Sequence, residues 1–246
     1  LTFSSLKNIH PLDIGTEDTY KIVQDVPEHL VMTMENGTDA LVPEHSKYFL
    51  RQWTVTVPSY PFLKFYRATP SRFDDWIPIM TDPKNNELQD THDKIWDEAA
   101  IAKWKTETEA RYHESNTKFE PLEVLIEYEG KAVGYGDVWP TSGSASIGIL
   151  LNEAVRGRGI GKTAMAVLAQ IGFDFYLPIS TGTMKANIAM RALMASLGVA
   201  EEEKLVTAPG RGVLAEVVYG IKPENWKKVE MKIEFNEEEL SAEGNP

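Results

Sequence analysis

The chain has 246 residues, 42% hydrophobic and 25% charged, with no cysteine and a formal net charge of −12. That length and apolar content supply a full hydrophobic core for one large domain or two small ones, while the missing cysteine excludes a disulfide scaffold, a thiolate nucleophile and any cysteine-ligated metal. The acidic balance argues against a general nucleic-acid binder or a protein held on an acidic membrane surface, and it favours a cationic or amine-bearing partner.

Residues 1–61 mix Pro27, Pro43, Pro58 and Pro61 with short apolar groups and are expected to form an N-terminal arm or cover. Within them, residues 52–57 read as a strand ended by Pro58. Residues 62–68 read as the next strand, after which Thr69-Pro70 offers an N-cap and a first-turn proline. Phe73, Trp76, Ile77 and Met80 share one face of the helix that follows, which Pro78 shortens or distorts. After a turn at residues 82–86, a longer helix is predicted over residues 91–113, with Ile95, Ala99 and Ala102 as its apolar face. The period then becomes strand-like: residues 123–128 and 132–138 make a hairpin around Glu129-Gly130-Lys131, and residues 145–151 form a third strand. A helix over residues 162–175 carries Ala164, Leu168, Ile171 and Phe175 inward. Residues 179–183 are a short strand, residues 188–197 a helix begun by Asn187 and stopped by Gly198, and residues 204–208 and 212–219 two further strands. Residues 223–226 form a helical turn, and residues 231–246 are expected to be an acidic, flexible tail. The pattern is α/β (α+β), one sheet with helices on both faces.

The most informative stretch is Arg156-Gly157-Arg158-Gly159-Ile160-Gly161, followed by Lys162, Thr163 and an apolar-periodic segment. Each glycine in a helix interior costs about 1 kcal/mol relative to alanine. A tight loop whose amides point at an anion and feed a helix N-terminus is the economical alternative. A nucleotide P-loop needs a glycine where this chain has Arg156, and a dinucleotide fingerprint needs its last glycine one residue beyond Gly161.

The loop instead resembles the Arg/Gln-x-x-Gly-x-Gly/Ala signature of the GCN5-related N-acetyltransferases (GNAT). Residues 187–199 are similar to that family's Asn-led helix ending in Leu-Gly-Phe, with Val199 in place of the phenylalanine. Val217-Val218-Tyr219-Gly220-Ile221, followed by Trp226, resembles the final strand and tail of the ribosomal-protein alanine acetyltransferase-like branch. The resemblance covers residues 62–228, so a GNAT-like domain is expected over 62–230. It implies a mixed, mostly antiparallel central sheet with splayed middle strands. It also implies acetyl-coenzyme A as co-substrate, held by Ile149, Leu150, Leu151, Arg156, Gly157, Arg158, Gly159, Ile160, Gly161, Lys162, Thr163, Asn187, Ala189 and Arg191.

The implied reaction is direct attack of a primary amine on the thioester. The amine belongs to a small molecule or to a protein; a non-catalytic acyl-coenzyme A-binding protein is the competing reading. The family's tyrosine general acid falls at Met194, which donates no proton, and its glutamate near the splay falls at Ser146. The remaining candidate bases and orienting groups are Asp137, Glu127 and Tyr135, with an oxyanion donor among the backbone amides near Ile149 and Leu150. Tyr219 is a candidate at the acceptor site, and Arg51, Trp53 and Tyr60 are candidates for its lid. The five histidines show no metal-ligand spacing, so no metal is expected. No apolar run reaches the ~20 residues of a bilayer span, and residues 1–7 lack a signal peptide's continuous apolar segment. A cytoplasmic monomer or homodimer, with no membrane or nucleic-acid partner, is expected.

Overall fold

The computed structural model describes residues 31–33, 39–41, 43–87, 93–141, 144–175, 178–208 and 212–239. Two short strands, β1 (Val31–Thr33) and β2 (Asp39–Leu41), pair with each other as a separate antiparallel ribbon. The chain then runs through α1 (Lys47–Leu50), β3 (Arg51–Val57), β4 (Tyr60–Arg67), α2 (Phe73–Thr81), α3 (Pro83–Asn86) and α4 (Glu98–Lys118). β5 (Leu122–Tyr128), β6 (Lys131–Thr141) and β7 (Ser144–Leu151) follow as a meander. α5 (Ile160–Phe173), β8 (Ile179–Met184), α6 (Ile188–Ser196), β9 (Glu202–Ala208), β10 (Gly212–Ile221) and β11 (Lys232–Glu239) complete it.

Among the described residues, nine strands form one sheet in the order β11-β3-β4-β5-β6-β7-β8-β10-β9. Its neighbours are antiparallel except β7 and β8. Side chains alternate between its faces. Val124, Ile126, Val138 and Ile147 join the large core against α5. Leu125, Tyr135 and Leu150 join a second cluster with Phe73, Trp76, Ile79 and Met80 of α2 and Trp104 of α4. Pro78 lies inside α2 without ending it.

Three expectations are corrected. The boundary at 61/62 cuts through the antiparallel β3–β4 hairpin, and both strands belong to the main sheet. Val55, Val57, Leu63 and Phe65 are fully buried there, because strand pairing and a shared core hold the hairpin in the domain. Residues 232–239 are not loose tail but strand β11, paired with β3; residues 240–246 lie outside the described residues. The long helix begins at Glu98, capped by the Asp97 carboxylate, and its buried face is Trp104, Thr108 and Ser115. Ile95 precedes it and is 81% exposed, and Ala99 and Ala102 face solvent. The helix is polar almost all round, so periodicity gave its face no clear signal. A buried Arg67 fixes its far end: the guanidinium donates to Phe49 O, to Ser115 Oγ (2.8 Å) and to Asn116 Oδ1.

Candidate active site

The sheet opens between β7 and β8. Their parallel pairing holds at Ala145/Ile179 and Ser146/Ser180 and goes no further. The Ala145 amide donates to Pro178 O at 2.8 Å, so the amides of alternate residues 147, 149 and 151 face the same side. Ile149 and Leu151 lie beyond the last pair, and their N–H groups face the gap. Leu150 pairs with Tyr135 and directs its amide toward β6. Of the two positions expected to hold an oxyanion donor, Ile149 is therefore the one with a suitable amide. Gly136 on β6 leaves no room for a side chain here: a Cβ on it would stand 2.8 Å from the Gly148 carbonyl oxygen.

At the end of the gap the chain turns through residues 153–155 into the glycine loop. Backbone bonds close that turn, Arg156 N to Glu153 O at 3.1 Å, and resume at Thr163 N to Gly159 O, also 3.1 Å. Between them, residues 157–162 donate to no backbone carbonyl among the described residues. Those amides stand at the start of a 14-residue helix, an arrangement whose free N–H groups and dipole favour an anion. Gly159 sits at φ +80°, and a Cβ on it would stand 2.3 Å from the Tyr60 hydroxyl. Tyr60 reaches the loop from the β3–β4 hairpin, its hydroxyl 3.3 Å from Arg158 O.

The other donor-side candidates divide. Arg158 is exposed on the loop. Arg156 uses Nε to hold Leu151 O at 3.1 Å, tying the loop to the strand end. Lys162 Nζ donates to Ser196 O, the C-terminal turn of α6, at 2.8 Å, and Thr163 is a buried helix residue bonded to Gly159 O. Gly161 packs under Leu193, where a Cβ would come within 2.9 Å of Leu193 Cδ1. Asn187 caps α6 by accepting from Met190 N at 3.1 Å and donates to Thr183 Oγ1 at 2.9 Å, fixing the far wall of the gap. Ala189 is exposed. Arg191 turns to Glu201, at 2.7 and 3.0 Å, and to Lys185 O, so its guanidinium is committed to the α6–β9 link.

The face under α2 and α4 gathers the titratable candidates. Asp137 on β6 stands directly across from Glu123 on β5 and from Gly148 on β7. Arg111 of α4 grips Glu123 through Nε at 3.1 Å and through its terminal nitrogen at 2.9 Å. Asp137 Oδ1 is sealed from solvent and has no hydrogen-bond partner. Burial, and then the Glu123 charge, pushes the Asp137 carboxyl up to about 7, against the opposing pull of the Gly148 amide and Arg111. Burial also raises Glu123, with Arg111 acting the other way. Tyr135 packs on Trp76, ring centroids 5.6 Å apart, and burial followed by the Asp137 charge holds its phenol protonated. Glu127 lies about 13 Å further along β5 from Glu123, at ~3.3 Å per residue. There it accepts from the Tyr66 hydroxyl and lies 3.7 Å from Arg72. The structure thus brings Asp137 and Tyr135 together and leaves Glu127 in a separate ion pair.

Met194 is fully buried in the core, and Ser146, also buried, lies 3.5 Å from Ser180 O at the last paired position. Tyr219 is bonded to Glu201 at 3.2 Å, and Trp53 is a core residue that donates to Tyr48 O at 2.9 Å. Sequence reasoning missed Glu123 and Arg111. Glu123 alternates with apolar neighbours as an exposed strand residue would, and only register shows it opposite Asp137. Among the described residues, no group of three or more potential ligands is placed to hold a metal, and no helix is long and apolar enough to cross a membrane.

The model of the acetyltransferase (GNAT) family matches residues 86–199. No curated protein matches the sequence. Solved structures do. RimJ of Mycobacterium smegmatis, in complex with CoA-disulfide, is 19% identical at a TM-score of 0.57, covering 72% of this chain and 90% of its own. The ribosomal-protein-S5-alanine acetyltransferase of Vibrio fischeri is 15% identical at 0.54, covering 70% and 99%. YncA of Salmonella typhimurium, a putative acetyltransferase with its cofactor acetyl-CoA, is 16% identical at 0.50, covering 65% and 94%. At these identities the likeness is one of fold.

Proposed function

Because this chain belongs to the GNAT acetyltransferase family, we propose that it transfers an acetyl group from acetyl-coenzyme A to a primary amine by direct attack. The observation that carries this reading is the opening between β7 and β8, which leads from the Ile149 amide to the unpaired amides of the glycine loop. A diphosphate suits the loop because the helix N-terminus and free N–H groups favour an anion. The thioester end then reaches the strand gap, where the Ile149 N–H stabilises the oxyanion.

Asp137 is the base in this reading. It takes a proton from the incoming ammonium, the neutral nitrogen attacks the thioester carbonyl, and the C–S bond breaks as the oxyanion collapses. The nitrogen's second proton passes to the departing sulfur. Buried Met194 supplies no proton at that sulfur. Tyr135 and Trp76 pack beside the base and limit its contact with water. A protein N-terminus is the favoured acceptor, because two of the similar structures are RimJ and a ribosomal-protein alanine acetyltransferase and the final-strand sequence resembles that branch. The reading keeps the cytoplasmic location expected from the sequence.

Incubation with acetyl-coenzyme A and a panel of peptides, polyamines and small amines, followed by free-thiol detection, tests the proposal. Acceptor-dependent thiol release is expected. Tight coenzyme binding without release for any acceptor would replace it with the acyl-coenzyme A-binding reading.

A further inference from the structure

The helices over the acceptor face are fastened to the turn that feeds the glycine loop. Asp82 caps the short α3, whose Asn85 is 4% exposed. Asn85 Nδ2 donates to Ile79 O at the end of α2 (3.1 Å) and to Asn152 Oδ1 (2.6 Å). Its Oδ1 accepts from the Glu153 amide at 3.2 Å. Both amide hydrogens and the carbonyl of this side chain are thereby in use. Lys84 adds an exposed ion pair to Glu153 at 2.8 Å, and Arg156 reaches Lys84 O at 3.4 Å. Asn152 and Glu153 lie between Leu151, the last residue of the splayed strand, and Arg156, the first of the glycine loop.

We infer that Asn85 is a positioning residue for the acetyl donor: it fixes the 152–153 turn, and through it the glycine loop, against the end of the β7–β8 gap. This rests on the reading of that loop as the coenzyme site. The side chain hydrogen-bonds to backbone and side-chain groups of the turn and to none of the loop residues 157–161, so it acts through the turn. A loop displaced by a fraction of an ångström loses alignment of several amides at once, whereas Asp137 and the Ile149 amide keep their own supports in the sheet.

The test measures coenzyme A affinity by calorimetry, and kcat and KM for both substrates, in the full chain carrying Asn85→Ala, Asn152→Ala or both. Asn85→Ala is expected to weaken coenzyme binding and raise the acetyl-coenzyme A KM about tenfold or more, with kcat at saturation changed less than about threefold. Asn152→Ala follows in the same direction, and the double variant is no worse than Asn85→Ala because the two share one bond. Wild-type affinity in Asn85→Ala, additive losses, or a fall in kcat with unchanged acetyl-coenzyme A KM would overturn the positioning role. If Asn85→Ala does not fold, the half-buried Asn152→Ala decides alone, and wild-type affinity in it overturns the role. A wild-type protein that binds no coenzyme overturns the underlying reading as well, so the two failures are distinct.

Discussion

The proposed function draws on different parts of the chain on the two sides of the sheet. On the proposed donor side the groups are backbone amides: Ile149 in the strand gap and residues 157–162 at the start of α5. Side chains there mostly hold the frame, as Arg156 holds Leu151 O, Lys162 holds Ser196 O and Asn187 caps α6. On the face beneath α2 and α4 the proposed groups are side chains, Asp137 with Glu123 and Arg111, set by strand register and a helix packed from elsewhere in sequence. A backbone site is damaged by added bulk or lost geometry, and a side-chain site by removing one functional group.

The largest effect expected on coenzyme binding is on the donor side. Gly159→Val puts a β-branched residue at a positive φ and drives its Cβ into the Tyr60 hydroxyl. Coenzyme A binding measured by calorimetry should fall by about 100-fold or more. Near-normal affinity would mean that the loop is not the site.

Next comes Asp137→Asn. It should lower kcat by about 10²–10⁴-fold in the thiol-release assay while coenzyme affinity stays within about twofold, because the base is remote from the loop. A parallel loss of affinity would blur the division between the two sides.

The pH dependence sharpens the same point. With Asp137 near 7, kcat/KM should rise about tenfold per pH unit below that value and level off above it. Among the described residues, Glu123, Arg111 and Tyr135 are the charged and titratable groups that interact with it. Glu123→Gln removes the neighbouring negative charge, so the acid limb should move to lower pH. For stability the sign is opposite to that of an ordinary paired carboxylate. The folded value lies above the usual 3.8, so the folded state holds this proton more tightly. That contribution is full below pH 3.8 and is lost as pH rises toward 7. Urea midpoints measured across this window should decline with pH, and less steeply in Asp137→Asn.

The smallest effect is Arg191→Ala. Its guanidinium is engaged with Glu201, so coenzyme affinity should change by less than about threefold, as for an exposed ion pair. A tenfold loss would return Arg191 to the donor site.

The same contrast decides what the sequence made legible. The meander from residue 122 to 151, the loop and the Asn187 cap were readable because each is written locally: alternation, a turn at residues 129–130, clustered glycines, an Asn-led helix. The opening of the sheet came from the family resemblance, and its limit at Ser146/Ser180 from the register. The acceptor face was poorly legible. Glu123 resembles a solvent-facing strand residue until Asp137 is seen opposite, and Arg111 lies on a helix whose buried face is mostly polar. The segment 82–86 has turn composition, yet its Asn85 is buried and makes two of its three hydrogen bonds to residues almost seventy positions away. Nothing local marks such a partner. The hairpin of β3 and β4 was recognised strand by strand but assigned to different domains, because sheet membership is a long-range property.

The central claim is that backbone amides of the β7–β8 gap and the glycine loop hold the acetyl donor. Amide hydrogen exchange with and without saturating coenzyme A tests it most directly. The account predicts that Ile149 and residues 157–162 exchange readily in the free protein and are protected on binding, while Leu150, already directed to β6, changes little. Protection confined to other segments, or none at these amides despite bound coenzyme, would contradict it.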